Sequence, residues 1–134
     1  MNDFSIDLVM TRAPHTIGHH QTLATAGRLM TQHAIRHLPV LEGGKLMGIV
    51  TERDLSFVET LPGLSPEEVK VGDAMSQDVF VVGPKASVRE TATEMAEHKY
   101  GSAVVMDAGQ VIGVFTTVDA LRTLAQLLSG ARRP

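Results

Sequence analysis

The sequence predicts an α+β fold built from two copies of one β-α-β-β-α unit. Three observations support this prediction: the chain contains an internal repeat, each copy shows the same order of local signals, and one copy alone is too small to bury its faces. The 134 residues, of which 43% are hydrophobic and 20% are charged, have a globular composition and the length of a single domain.

The internal repeat is free of gaps. Shifting the sequence by 65 positions, the separation of Met10 from Met75, brings nine identical pairs into one register. These pairs are Met10 and Met75, Gly18 and Gly83, Met30 and Met95, His33 and His98, Val40 and Val105, Gly44 and Gly109, Gly48 and Gly113, Thr51 and Thr116, and Asp54 and Asp119. So many identities in one register indicate two copies of a structural unit.

Each copy opens with a short strand followed by a helix. The strands are expected at Thr16-Ile17 and from Val79 to Val82. Thr22 and Ser87 are candidate N-caps, and Ser87 forms a capping box with Glu90 three residues on. In both copies mainly apolar residues follow at helical spacing, which predicts that each helix buries one stripe of side chains. The stripes are Leu23, Ala26 and Met30 in the first copy, and Val88, Thr91 and Met95 in the second.

A hairpin and a closing helix complete each copy. Two apolar runs, Leu38 to Leu41 and Leu46 to Val50, flank a turn whose two glycines suit a hairpin. The corresponding runs of the second copy are Ala103 to Met106 and Val111 to Phe115. The closing helices are predicted from Glu52 to about Leu61 and from Thr117 to about Leu128.

The segment between the copies predicts a linker. Leu61-Pro62-Gly63 interrupts the chain, and Ser65-Pro66-Glu67-Glu68 has the cap, the first-turn Pro and the capping-box Glu of a short helix. We therefore expect repeat 1 over residues 8–62, a linker helix over 63–73 and repeat 2 over 74–129.

Composition excludes several function classes. The net charge of 12 − 15 = −3 supplies no basic field, which disfavours nucleic-acid binding. The absence of cysteine excludes thiol catalysis, disulfides and thiolate metal sites. No apolar run approaches the roughly 18 residues of a membrane span, and Asp3 and Asp7 stand where a signal peptide would be basic. We expect a cytoplasmic protein without membrane contact.

Two Thr-x-x-Asp pairs carry the most chemistry. Thr51 with Asp54 and Thr116 with Asp119 lie where a strand ends and a helix begins, and a helix N-terminus favours an anion. The hydroxyl can donate to a phosphate and the carboxylate can accept from both hydroxyls of a ribose, so the pattern suits a ribose phosphate. The same spacing is also typical of a capping box that only starts a helix, and spacing alone favours that interpretation without excluding a ligand site.

These residues resemble a CBS (cystathionine-β-synthase) domain pair, or Bateman module, from Val9 to Leu128. The resemblance rests on three landmarks of the first copy and two of the second. They are Val9-Met10-Thr11, Ile35-Arg36-His37-Leu38-Pro39-Val40, the Gly48 to Asp54 stretch, Ala74-Met75-Ser76 and the Gly113 to Asp119 stretch. The second copy has Tyr100-Gly101-Ser102 where the family often shows a basic residue and Pro.

The resemblance implies two repeats related by pseudo-twofold symmetry and packed sheet to sheet, with ligand clefts between them. It implies a regulatory module that binds an adenine nucleotide (AMP, ADP or ATP), needs no cofactor and signals to a partner protein. Asp119 is expected on the ribose and Thr116 near the phosphate. The residues expected to join them are Arg36, His37, Thr51 and Arg53, and those expected against the base are Ile17, Ile35, Leu38 and Val114.

The second cleft, around Asp54, is expected to bind ligand weakly or not at all. It would draw on Tyr100 and Ser102, with Val118 where Arg53 stands in its counterpart. Because charge-assisted contacts to phosphate are the strong ones, the lack of a cation weakens this cleft. For the Asp119 cleft, the alternative is that Arg36, His37 and Arg53 are solvated surface charges.

The remaining patterns favour neither a metal nor an enzyme. Two histidine groups, His15 with His19-His20 and His33 with His37, lack an acid to complete a ligand set. No nucleophile with its own base is visible. The main alternative function is a homodimerisation module without bound nucleotide, and the family commonly forms homodimers. The closing helices supply an apolar surface for it: Leu55, Phe57, Val58, Leu61, Leu121, Leu124, Leu127 and Leu128.

Overall fold

The computed structural model describes residues 3–12 and 15–130, which fall into two compact units. Residues 3–12 and 80–130 belong to one, called the terminal unit, and residues 15–79 form the other, called the central unit. Each unit combines one sheet with helices, which confirms the predicted α+β fold class.

The elements follow the predicted order in both repeats. The strands of the described residues are β1 (Thr11–Arg12), β2 (Ile17–Gly18), β3 (His37–Glu42), β4 (Lys45–Thr51), β5 (Val81–Val82), β6 (Ser102–Asp107) and β7 (Gln110–Thr116). The helices are α1 (Leu23–His33), α2 (Glu52–Glu59), α3 (Val71–Ala74), α4 (Val88–His98) and α5 (Thr117–Leu128), with a 3-10 turn at Ile6–Leu8. The sheet order is β2-β3-β4 in the central unit and β1-β7-β6-β5 in the terminal unit.

Helices α1 and α4 begin and end in the same way. The hydroxyls of Thr22 and Ser87 accept the N–H groups of Thr25 and Glu90, as the caps predict. For Ser87 only this half of the predicted capping box forms in the described structure, and the Ser87 hydroxyl also donates to Asp3. Both helices end at a residue in the left-handed region, Ala34 at φ 54° and Lys99 at φ 58°.

Each unit has its own hydrophobic core, built on the predicted helix stripes. In the central unit Leu23, Ala26 and Met30 pack with Leu38 and Val40. In the terminal unit the buried side chains are Ile6, Met10, Met95, Ala103, Val105 and Phe115. Burying each of the larger of these side chains, such as Leu23 or Phe115, stabilises the fold by about 1.5–3 kcal/mol.

The compact units and the sequence repeats divide the chain at different points. Thr11 of β1 precedes the first repeat's helix, yet it pairs with Val114 of β7 in the terminal unit. Ser76 starts the second repeat, yet it exchanges two backbone hydrogen bonds of 2.9 Å with Ile49 of β4. Each unit therefore includes the segment with which the other repeat opens. The boundaries 8–62 and 74–129 stay a prediction about the sequence.

Gly48 and Gly113 lie where the Met75-Ser76 and Met10-Thr11 segments pass close to β4 and β7. A Cβ on Gly48 would lie 2.5 Å from the Ser76 carbonyl oxygen and 2.7 Å from the Met75 sulfur. A Cβ on Gly113 would lie 2.9 Å from the Thr11 carbonyl oxygen and closer still to the sulfur of Met10. Only glycine fits where the two backbones approach this closely.

The stretch predicted as a linker helix over 63–73 has little helix. Around Ser65 there is a single turn, closed by the Glu68 N–H on the Ser65 carbonyl at 3.0 Å, and α3 begins only at Val71. The carbonyls of Pro66 and Val69 instead accept the N–H groups of Ala24 and Leu23, each at 2.9 Å. The first N–H groups of a helix have no acceptor within that helix. The carbonyls of Pro66 and Val69 supply acceptors for α1 and do not take part in a helix of the linker itself.

Two smaller findings complete the fold. Helix α2 ends at Glu59, two residues before the predicted end. None of the described helices is both long enough and apolar enough to span a membrane.

Candidate functional site

The Thr116 and Asp119 pair forms a reciprocal capping box at the start of α5. The Thr116 N–H donates to Asp119 Oδ2 at 3.0 Å, and the Asp119 N–H donates to Thr116 Oγ1 at 3.2 Å. The capping box that the Thr-x-x-Asp spacing predicts is therefore present in this copy. The bonds hold the carboxylate at the positive end of the helix dipole.

Asp119 has contacts beyond those that a cap requires. The Thr11 hydroxyl lies 3.1 Å from Oδ1 and 3.2 Å from Oδ2, and Arg122 Nη1 lies 3.2 Å from Oδ1. The Asp119 side chain is 3% exposed and the Arg122 side chain 63% exposed. A buried carboxylate thus lies among two hydroxyls and a cation, all within the terminal unit.

The fold explains how these groups meet. Pairing of β1 with β7 places Thr11 opposite Val114, beside the strand that leads into α5. Arg122 lies one helical turn beyond Asp119, at the spacing where side chains on a helix are neighbours. The spacing of Arg122 could have been read from the sequence, whereas the contact of Thr11, 108 residues away, depends on the sheet pairing.

The corresponding site of the central unit has fewer donors. Asp54 also forms a capping box, with the Thr51 N–H donating to Oδ2 at 2.8 Å. The positions equivalent to Thr11 and Arg122 are Ser76 and Phe57, and neither donates to Asp54 in the described structure. Two chemically unequal acid sites therefore stand at equivalent places in the two repeats.

Each unit also brings its own strand entry next to its own helix start. In the central unit the Glu52 N–H donates to the Arg36 carbonyl at 3.0 Å, and His37 lies opposite Thr51. In the terminal unit the Thr117 N–H donates to the Gly101 carbonyl at 3.2 Å, and Ser102 lies opposite Thr116. The side chains of Arg36 and Arg53 are exposed.

The remaining predicted residues belong largely to the two cores. Tyr100 is half-buried and stacks on Phe80, with ring centroids 5.2 Å apart. The four residues expected against the base are buried or, for Ile35, half-buried against the central core. They are Ile17, Ile35, Leu38 and Val114.

Two other polar groupings lie away from the predicted residues. Glu94, Glu97 and His98 are exposed on α4 and bring one donor atom each within 4.8 Å of one another, a spacing that could hold a metal ion. The central unit has a cavity of about 260 Å³ that contains none of the predicted ligand residues. Its lining is His19, His20, Glu42, Met47, Lys70, Gly72, Asp73 and Met75.

Two repeats of one α+β unit, each with an acid-capped helix after a hairpin, define a tandem-repeat module. The family model for the CBS domain matches this chain twice, over residues 5–58 and 71–126. Because the two matches cover most of the sequence, the chain belongs to the CBS domain family.

The curated relatives include both an enzyme and a CBS protein of similar length. Inosine-5'-monophosphate dehydrogenase of Korarchaeum cryptofilum is 37% identical over 105 residues, 78% of this chain and 21% of that enzyme. CBS domain-containing protein YhcV of Bacillus subtilis is 29% identical over 115 residues, 86% of this chain and 81% of that protein. The chain thus spans about a fifth of the dehydrogenase and most of YhcV.

Solved structures share the fold over nearly the whole chain. A Vibrio cholerae protein described as an acetoin utilization protein (AcuB) is 34% identical with a TM-score of 0.81, covering 93% of each chain. CBSX2 in complex with AMP is 22% identical with a TM-score of 0.80, covering 92% of this chain and 98% of that one. At that identity CBSX2 shows the fold alone.

Proposed function

We propose that this chain is a regulatory module that binds an adenine nucleotide (AMP, ADP or ATP) at the start of α5 and signals to a partner protein. The observation that carries the proposal is the environment of Asp119. A helix cap needs only the Thr116 contacts, yet the carboxylate also has the Thr11 hydroxyl and the Arg122 guanidinium beside it.

The chemistry of this grouping suits a ribose phosphate. A carboxylate can accept from the hydroxyls of a ribose, and the positive end of the α5 dipole favours a phosphate nearby. Arg122 adds a planar cation that can donate two parallel hydrogen bonds to phosphate oxygens. No cofactor and no catalytic step are part of the proposal.

The roles of the other expected site residues in ligand binding remain predictions. Arg36, His37, Thr51 and Arg53 are expected to contribute to phosphate binding, and Asp54 with Tyr100 and Ser102 to a weaker second site. Support for an adenosine ligand comes from the family and from CBSX2, whose solved structure holds AMP.

A thermal-shift panel tests the proposal. AMP, ADP, ATP and S-adenosylmethionine are compared with GMP on the purified protein. A ligand present at 100 times its dissociation constant raises the free energy of unfolding by about 2.7 kcal/mol, which shifts the Tm by several degrees. A shift with adenine nucleotides supports the proposal, and an unchanged Tm with all five ligands contradicts it.

A homodimerisation module without ligand is the second candidate, favoured by the exposed apolar face of α5. Leu121, Leu124 and Leu128 are 64%, 50% and 78% exposed, a large apolar area for a surface helix. On α2, Phe57 is also exposed, whereas Val58, expected on this surface, is buried in the central core. The face serves dimerisation whether or not a nucleotide binds.

A further inference from the structure

The carboxylate of Asp119 is saturated with hydrogen-bond donors. Oδ2 accepts from the N–H and the hydroxyl of Thr116, at 3.0 and 3.2 Å, and Oδ1 accepts from Thr11 and Arg122, at 3.1 and 3.2 Å. A carboxylate offers about four lone-pair sites. A ribose hydroxyl can therefore bind Asp119 only if one of these donors leaves.

Arg122 is the donor that leaves at least cost. The Thr116 bonds start α5, and Thr11 is held in place by the pairing of β1 with β7. The Arg122 side chain, in contrast, is 63% exposed on a flexible stem. Because the exposed Arg122 guanidinium can return to water when it leaves, a ribose hydroxyl can replace it on Oδ1.

The released guanidinium then needs an anion. A nucleotide supplies one, because its phosphate can accept two charge-assisted hydrogen bonds from the arginine fork. A nucleoside supplies none, so Arg122 would exchange a carboxylate for water alone. Binding of a nucleoside therefore lacks the arginine–phosphate contact that binding of a nucleotide gains.

We propose that Arg122 makes this site selective for nucleoside phosphates over nucleosides, by moving from Asp119 to the ligand phosphate. The inference rests on the proposed function and adds a specificity residue to the same site. The repeat offers a contrast, since Asp54 has Phe57 at the equivalent position and no cation to exchange. We therefore expect this selectivity at Asp119 and not at Asp54.

Calorimetric titration of wild-type protein and Arg122→Gln with AMP and with adenosine tests the inference. Wild-type protein is expected to bind AMP at least about tenfold more tightly than adenosine, the size of one charge-assisted contact. Arg122→Gln is expected to bring the two affinities within about threefold, with AMP weakened and adenosine unchanged or strengthened. Arg122→Lys keeps the positive charge but lacks the planar guanidinium, so its ratio of AMP affinity to adenosine affinity is expected to lie between those of wild-type protein and Arg122→Gln.

Arg89→Gln is the matched control. It removes the same charge from an exposed arginine of α4 that contacts Asp3. The ratio of AMP affinity to adenosine affinity should stay at its wild-type value in this variant. If wild-type protein binds AMP and Arg122→Gln keeps the ratio, or loses both ligands equally, the inference is wrong while the proposed function stands. If wild-type protein binds neither ligand, the proposed function fails and the inference fails with it.

Discussion

At the scale of single residues, Gly48 and Gly113 determine how closely two backbones approach. Each lies in a hairpin strand, against the methionine-containing segment with which the other repeat opens. The sequence repeat marks both positions as equivalent, yet it does not indicate what they contact. That information comes only from the sheet pairing.

We expect Gly48→Ala to lower the free energy of unfolding by about 1–3 kcal/mol, because the new methyl group meets the Ser76 backbone. Gly83→Ala is the control, since a Cβ there has nothing within 4 Å, and the change should stay within about 1 kcal/mol. Urea denaturation measures both variants. Equal stability of the two would contradict the close approach.

Two aspartates anchor the amino-terminal segment within the terminal unit. The Lys85 ammonium, 2.8 Å from Asp7, lowers the pKa of that carboxyl through a hydrogen bond, helped by Ser5. The Ser87 hydroxyl lowers the pKa of Asp3 in the same way. A carboxyl whose pKa is lowered by folding stabilises the protein above its unfolded pKa, and this stabilisation is lost as the pH falls through the folded value.

Asp7→Asn should therefore lower the Tm at pH 7, and the difference from wild type should shrink as the pH falls below about 4. Asp78→Asn is the control, because Asp78 is exposed and its side chain has no hydrogen bond among the residues described. Thermal unfolding from pH 7 to pH 2 provides the measurement. A difference that persists unchanged in acid would show that Asp7 does not act through its charge.

At the scale of elements, most helices and strands could be predicted because their signals are local. Threonine and serine caps, helical stripes and the paired glycines Gly43 and Gly44 each act within a few residues. The linker was predicted least well. The Ser-Pro-Glu-Glu sequence does form one turn, closed by the Glu68 N–H on the Ser65 carbonyl. The carbonyls of Pro66 and Val69, however, accept from the first N–H groups of α1, a contact that the local sequence does not indicate.

The cap of α5 gives a prediction at this scale. Thr116→Ala should lower the free energy of unfolding by about 1 kcal/mol, because it removes the acceptor of the Asp119 N–H. Thr117→Ala, one residue later and exposed, should change it by less than about 0.5 kcal/mol. Denaturation without ligand separates the two variants, and equal effects would indicate that the capping bond contributes nothing.

At the scale of the whole molecule, the repeat predicted two similar units but not their exchanged segments. Nothing local to Met10 or Met75 indicates which sheet each segment joins. The same limit applies to the site: Thr116 and Asp119 could be predicted from spacing, whereas Thr11 reaches Asp119 only through β1 on β7. Tertiary pairing thus supplies the part of the site that sequence patterns miss.

The exposed face of α5 predicts self-association. Leu121→Glu with Leu128→Glu should convert a homodimer into a monomer in sedimentation velocity, because two charges replace apolar contacts. Gln126→Glu, also exposed on α5, serves as the control for added charge and should leave the dimer intact. A monomeric wild-type protein, or a dimer that survives the double substitution, would rule out this face.

The most direct test of nucleotide binding at Asp119 is a calorimetric titration of AMP into wild-type protein, Asp119→Asn and Asp54→Asn. Asparagine keeps an oxygen to accept the helix-capping N–H, so both variants should fold. We expect Asp119→Asn to weaken AMP binding by about tenfold or more, and Asp54→Asn by less than about threefold. Equal weakening in both variants, or weakening in Asp54→Asn alone, would contradict the assignment.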